Sequence, residues 1–174
     1  MIRDATEADL PAILAIYNDV LASSTAIFSE TPTTLDDRRQ WFRARCDAGY
    51  PVLVAADDSG VLGFATFGDF RTWPGYRHTV EHTVHVRADA RGRGVGQGLM
   101  TVLLERAIRL GKHVMVAGVD AENQTSIRLH ERLGFHRAGT LHQVGCKFGR
   151  WLDLTFLERR LDERPTPEPG RLTS

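Results

Sequence analysis

The 174 residues suit one domain with a sizeable core of its own. Lys plus Arg balance Asp plus Glu at 22 each, so neither nucleic acid nor an anionic membrane is an expected partner. Hydrophobic residues at 42% and charged residues at 25% are ordinary for a globular chain, which excludes disorder as the default.

Residues 1–6 read as a short first strand. Thr6, with Asp9 three residues on and Pro11 after it, opens a helix that carries Leu10, Ile13, Leu14, Tyr17 and Leu21 at helical spacing. A polar loop from Ser23 to Thr33 is centred on Phe28. Thr34 and Asp37 open a second helix with Leu35, Trp41, Phe42 and Cys46, ended by Gly49. Pro51–Ala56 and Val61–Phe67 are apolar runs joined by Asp57-Asp58-Ser59-Gly60, the chemistry of a hairpin turn. A turn region, Asp69–His78, leads to a β-branched strand from Thr79 to Val86. Val95, Leu99, Leu103 and Ala107 mark a long helix that Gly111 stops. Val114–Val119 is a continuous apolar run, the pattern of a strand covered on both faces. Thr125–Leu133 is a short helix closed by Gly134, and the last strands cover Phe135–Leu141 and Trp151–Leu161. Residues 1–162 form the expected domain. Pro165, Pro167 and Pro169 among polar neighbours predict a disordered tail over 163–174. Helices interleaved with strands define an α/β or α+β chain with a largely antiparallel first half.

The N-terminus lacks a basic region followed by an apolar run, and no stretch approaches about 18 apolar residues, so the expected compartment is the cytoplasm. Cys46 and Cys146 have no metal or CxxC spacing and read as reduced thiols. His82 and His85 point to opposite strand faces, and no metal is expected.

The segment with most chemical content runs strand, Arg91-Gly92-Arg93-Gly94-Val95-Gly96, helix. Its glycines let the backbone turn sharply, and the first helical N–H groups have no partner within the helix. Those donors, the helix dipole and the two arginines make a cradle for a pyrophosphate. A plain connecting turn is the alternative. Gly92, Gly94, Gly96 and Gly98 alternate, so the dinucleotide spacing fails at Gln97, and no P-loop is present.

Arg91-x-x-Gly94-x-Gly96 resembles the phosphate turn of the GNAT superfamily of acyl-CoA N-acyltransferases. Asn123, Ser126, His130 and Leu133-Gly134-Phe135 are similar to that superfamily's later motif. Thr25-Ala26-Ile27-Phe28, Thr79-Val80-Glu81-His82, Ser126-Ile127-Arg128-Leu129-His130-Glu131 and Lys147-Phe148-Gly149-Arg150-Trp151-Leu152-Asp153 resemble the branch that acetylates phosphinothricin and methionine sulfoximine or sulfone. The resemblance implies a mixed, mostly antiparallel sheet of about six to seven strands flanked by about four helices. It also implies acetyl-CoA as donor, an amino-acid-like α-amine as acceptor, and a homodimer. Residues Arg91 to Leu99, with Gln97 and Gly98 among them, are expected on the pyrophosphate. Val84 and Val86 are expected along the pantetheine arm, with Asn123 and Ser126 beyond it.

Acetyl transfer needs a neutral amine and a proton for the leaving thiolate. Alternation puts Glu81, Thr83 and His85 on one face of the Thr79–Val86 strand. Glu81 can take the amine's proton, a role the resemblance also implies; a solvated edge carboxylate is the alternative. His130 stands where many superfamily members carry a tyrosine, and histidine can donate near neutral pH; a packed helix-face histidine is the alternative. Arg71-Thr72-Trp73-Pro74-Gly75-Tyr76-Arg77 combines two fork-shaped cations with two aromatics. Arg71, Arg77, Trp73, Tyr76 and Gly75 are the candidate wall for an acidic acceptor. Phe28 is a candidate lid. Lys147, read as sharing a strand face with Trp151 and Asp153, is a candidate for pocket wall or dimer surface. Other readings are an acetyltransferase for a protein N-terminus or an aminoglycoside, a non-catalytic acetyl-CoA-binding module, and a nucleotide-binding regulator.

Overall fold

A computed structural model describes residues 1–167. One seven-stranded sheet runs in the order β1 (Ile2–Asp4), β2 (Val52–Asp57), β3 (Gly60–Asp69), β4 (Thr79–Val86), β5 (Val114–Asp120), β7 (Arg150–Arg160), β6 (His136–Lys147). Every neighbouring pair is antiparallel except β4 and β5, which run parallel. Four helices cover the sheet: α1 (Leu10–Ser23), α2 (Leu35–Asp47), α3 (Val95–Arg109) and α4 (Gln124–Arg132). This is the mixed α/β class that the sequence implies.

The two faces of the sheet have separate cores. Against α1 and α2 lie Val52, Val54, Val61 and Phe64, with Leu10, Ile13 and Ile16 packed onto them. Against α3 and α4 lie Leu53, Phe67, Val80, Met115 and Leu157, covered by Leu99, Leu103 and Ile127. Period-two alternation explains the division, since Val52 and Val54 enter one core and Leu53 the other. Thr6 and Asp9 do cap, but they cap a 3-10 turn over Glu7–Asp9 that precedes α1, and the Arg3 guanidinium holds the Asp9 carboxyl down at about 2.

The C-terminal strands differ from the sequence reading. β6 continues to Lys147 and turns at Phe148-Gly149, whose φ values of 50° and 69° are those of a tight type I′ hairpin. Phe-Gly is not a common signature of that turn, so 142–150 read as a connector. Between Leu141 and Gly145 the register slips, and Asp153 secures the bulge by accepting from the Gln143 N–H at 2.8 Å. Lys147 pairs with Arg150 and Cys146 with Trp151, so Lys147 and Trp151 lie on opposite faces and not on a shared one. Of the expected tail, Arg164 donates to the Gly111 carbonyl at 2.8 Å, and residues 168–174 lie outside the described part. No described helix is long and apolar enough to cross a membrane. Cys46 and Cys146 are free thiols.

Candidate active site

The β4–β5 ladder stops at Glu81, paired with Val116, and the strands then separate. The Arg87 N–H donates to the Leu62 carbonyl. Alternate residues before it, His85 and Thr83, therefore aim their backbone groups at β3. Val84 and Val86 aim theirs into the gap beside β5. There the Val86 carbonyl accepts from Arg91 Nε at 3.3 Å.

Below the gap is the glycine turn. Gly92 and Gly94 have φ of +73° and +79°, a region that favours glycine. The Gly98 N–H makes the first helical bond, to the Gly94 carbonyl at 2.9 Å. The N–H groups of Val95, Gly96 and Gln97 thus have no partner within the helix. They open onto a cavity of about 620 Å³ lined by Val84, Val86, Arg91, Gly92, Gly94, Val95, Gly96 and Gln97, and across from them by Asn123, Ser126 and Leu129. Three of the expected residues stand outside it. Arg93 pairs with Asp57 at 3.6 Å. Gly98 packs toward Ile2, whose Cδ1 would lie 3.1 Å from an added Cβ. Leu99 is fully buried in the core.

A second cavity of about 320 Å³ fills the gap itself. His82, Thr83, Val84 and His85 line it from β4, Gly118, Val119 and Asp120 from β5, and Tyr17 from α1. Ala26, Val84, His85, Asn123 and Ser126 line both cavities, so the two adjoin. His85 meets Tyr17 and Phe64 edge-on, and burial with Arg38 and Arg91 nearby lowers its pKa to about 4.

Glu81 lies beside Gly118, which lines this gap. A Cβ on Gly118 would lie 3.1 Å from Glu81 Oε1, so the carboxylate leans over the bare glycine of β5. Burial raises its pKa, and the Arg71 cation partly offsets that. Phe156, which also borders Gly118, meets Phe70 edge-on, and Phe70 carries Tyr76 on its edge and the Arg71 guanidinium on its face. Arg71 therefore acts on Glu81, while Tyr76 packs on Phe70. Trp73 is 73% exposed, Gly75 has open space around it, and Arg77 donates back to the Pro74 carbonyl at 3.4 Å.

Lys147 has a different use from the expected one. Its ammonium is buried and donates to the carbonyls of Leu21, Ser24 (2.6 Å) and Ile27 (2.9 Å). All its donors are spent on the last turn of α1 and the loop after it, leaving none for a ligand. That loop is fastened again by Thr25, which donates to the buried Asp120 carboxylate. Phe28 rests on Gly145, where any Cβ would collide with its ring. His130 is buried against His82 and Phe135 and, with Ser126, lines the second cavity. Asp120, Tyr17 and His82 escaped the sequence reading. Gly118, inside an apolar strand, was the available sign of a close approach there.

A parallel pair that splays beside a glycine-built helix start defines an anion cradle joined to a reaction gap. Residues 13–135 match the acetyltransferase (GNAT) family, and the chain belongs to that family. It is an acetyltransferase. The L-methionine sulfoximine/L-methionine sulfone acetyltransferase of Pseudomonas paraeruginosa (strain DSM 24068 / PA7) is 57% identical over 162 residues, covering 92% of this chain and 94% of that protein. The structure of yncA from Salmonella typhimurium with its cofactor acetyl-CoA is similar at a TM-score of 0.95, with 46% identity and 98% of each chain covered. A phosphinothricin acetyltransferase (Pat) from Sinorhizobium meliloti in complex with acetyl-CoA is similar at a TM-score of 0.93, with 36% identity and coverage of 98% of this chain and 93% of that one.

Proposed function

We propose that residues 1–162 transfer the acetyl group of acetyl-CoA to the α-amine of a small amino-acid-like substrate of the methionine sulfoximine, methionine sulfone or phosphinothricin type. The carrying observation is the pair of adjoining cavities, with the free N–H groups of Val95, Gly96 and Gln97 at one end and, at the other, Gly118, over which the Glu81 carboxylate leans. The turn fits a pyrophosphate, because its donors converge on open space and its positive-φ glycines expose the backbone. Val84 and Val86 offer backbone groups to an extended amide-bearing arm in the gap. Relatives whose names carry these acceptors, and similar structures that hold acetyl-CoA, support the same reading.

Glu81 takes the proton from the acceptor's ammonium, and its raised pKa makes it a better base than an ordinary carboxylate. In this reading Arg71, whose charge acts on Glu81, meets an anionic acceptor group, and Thr83 and His85 wall the gap, while Tyr76 and Phe28 line neither cavity. His130 assists the departing thiolate from behind Ser126, whose hydroxyl lies 3.5 Å from Nδ1 and which lines both cavities. The chain works as a cytoplasmic homodimer. The exposed Trp151, Phe148, Val144 and Leu141 on the β6–β7 hairpin support self-association.

Thiol release from acetyl-CoA with a panel of amines tests the reading. Turnover is expected with methionine sulfoximine, methionine sulfone or phosphinothricin, and little with an aminoglycoside or an N-terminal peptide. Efficient turnover of the peptide or aminoglycoside alone would overturn it.

A further inference from the structure

The hydrogens on His130 can be placed from its neighbours. Nδ1 lies 2.7 Å from the Ser126 carbonyl oxygen, which only accepts, so Nδ1 carries a hydrogen. In the neutral ring Nε2 is then a lone pair. It faces His82 Nε2 at 3.0 Å. Two lone pairs would repel at that distance, so His82 Nε2 carries the hydrogen between them. His82 Nδ1 is left as a lone pair, and it is buried with no hydrogen-bond partner. The rings stack 4.9 Å apart, and Phe135 meets both edge-on. Neither nitrogen of His130 is free, while one nitrogen of His82 is.

We propose that His82 and His130 act as a single two-ring proton carrier whose port is His82 Nδ1, which makes His82 a positioning residue for the transfer. The inference rests on the acetyltransferase reading above and adds a residue to it. A proton carried by hydronium in the gap, which His82 lines, bonds to the buried His82 Nδ1 as the wall around it opens, and the carrier leaves as water. The His82 Nε2–H bond breaks as the His130 Nε2–H bond forms. The positive charge ends on His130, where the Ser126 carbonyl already holds Nδ1–H. His130 also stands in the last turn of α4, where the helix dipole favours a cation. The reverse sequence returns the proton to the gap as the thiolate leaves. One proton enters, one departs, and nothing is oxidised or reduced.

The surroundings suit this division. Burial, with His130 and His85 close, holds the His82 pKa well below the ordinary imidazole value. Burial also lowers His130, and its bond to the Ser126 carbonyl partly offsets that. Arg38 and Arg91 bear on the neighbouring His85 and not on either ring of the pair. Glu81 and Thr83 face the opposite side of β4, and among the described residues no carboxylate hydrogen-bonds either ring.

Long-range proton–nitrogen correlation spectra of the unliganded protein read both tautomers without turnover. The expected result near neutral pH is hydrogen on Nδ1 of His130 and on Nε2 of His82. Hydrogen on Nε2 of His130, or on Nδ1 of His82, in the neutral pair overturns the proposal. The kinetic arm uses His82→Gln, whose amide still donates toward His130 but passes no proton. Its kcat should fall about 10²-fold, the low end for a lost acid–base function, with the KM for acetyl-CoA nearly unchanged. Wild-type kcat and an unchanged pH profile in that variant also overturn it. A wild type inactive with every amine would instead count against the proposed acceptor, while the tautomers would still decide the carrier.

Discussion

The two ends of the joined cavities are built from different materials. At the α3 end the groups that open onto the cavity are backbone N–H groups, held by glycines at φ of +73° and +79°. At the other end stands a side chain from β4, Glu81, leaning over the bare Gly118 of β5, with Arg71 from the turn before β4 acting on its charge. A backbone cradle asks only for dihedral freedom in one short segment, and it suits a phosphate group common to every reaction of the kind. A side-chain site depends on desolvation and on neighbours from distant segments. It can be retuned one residue at a time, which is where acceptor choice belongs.

Variants that strike one end and spare the other would break this contrast if it were wrong. The largest effect is expected from Glu81→Gln, with a loss of about 10²–10⁴-fold in kcat near neutral pH and acetyl-CoA affinity by calorimetry almost intact. Alkaline pH should partly restore that variant as free amine accumulates. Next comes Gly94→Pro. Proline holds φ near −65° and cannot take +79°, so the turn must rebuild. Losing one or more charge-assisted hydrogen bonds, each about 1.5–3 kcal/mol, should weaken acetyl-CoA binding by tenfold or more in a variant that circular dichroism shows folded. Lys147→Met leaves three carbonyls without their donor. A stability loss of about 1–3 kcal/mol in urea is expected, with faster proteolysis between Ser24 and Glu30. The smallest effect is electrostatic. As the proposed base, Glu81 must be ionised, so the rate is expected to fall as pH drops through its raised pKa. Arg71→Gln removes the cation that holds that pKa down, and the acid limb of kcat/KM should move to higher pH.

Segments whose structure follows from local chemistry were legible in the sequence. The glycine turn, the β-branched strand over Thr79–Val86 and the helix marked by Leu99, Leu103 and Ala107 all stand where they read. What escaped was set by distant contacts. Lys147 looked like a ligand group because nothing in its own strand shows that carbonyls 120 to 126 residues away would consume its ammonium. His82 was weighed only against His85 as a metal ligand, because its partner His130 lies 48 residues on. The β6–β7 hairpin was missed because Phe148 takes a positive φ that few sequences announce with phenylalanine.

Steady-state kinetics with both substrates varied tests the division between the two ends most directly. Wild type, Gly94→Pro and Arg71→Gln would be compared with one active amine. The account predicts that Gly94→Pro raises the KM for acetyl-CoA and leaves that of the amine nearly unchanged, whereas Arg71→Gln does the reverse. A crossed result, with Gly94→Pro acting on the amine or Arg71→Gln on acetyl-CoA, would contradict it.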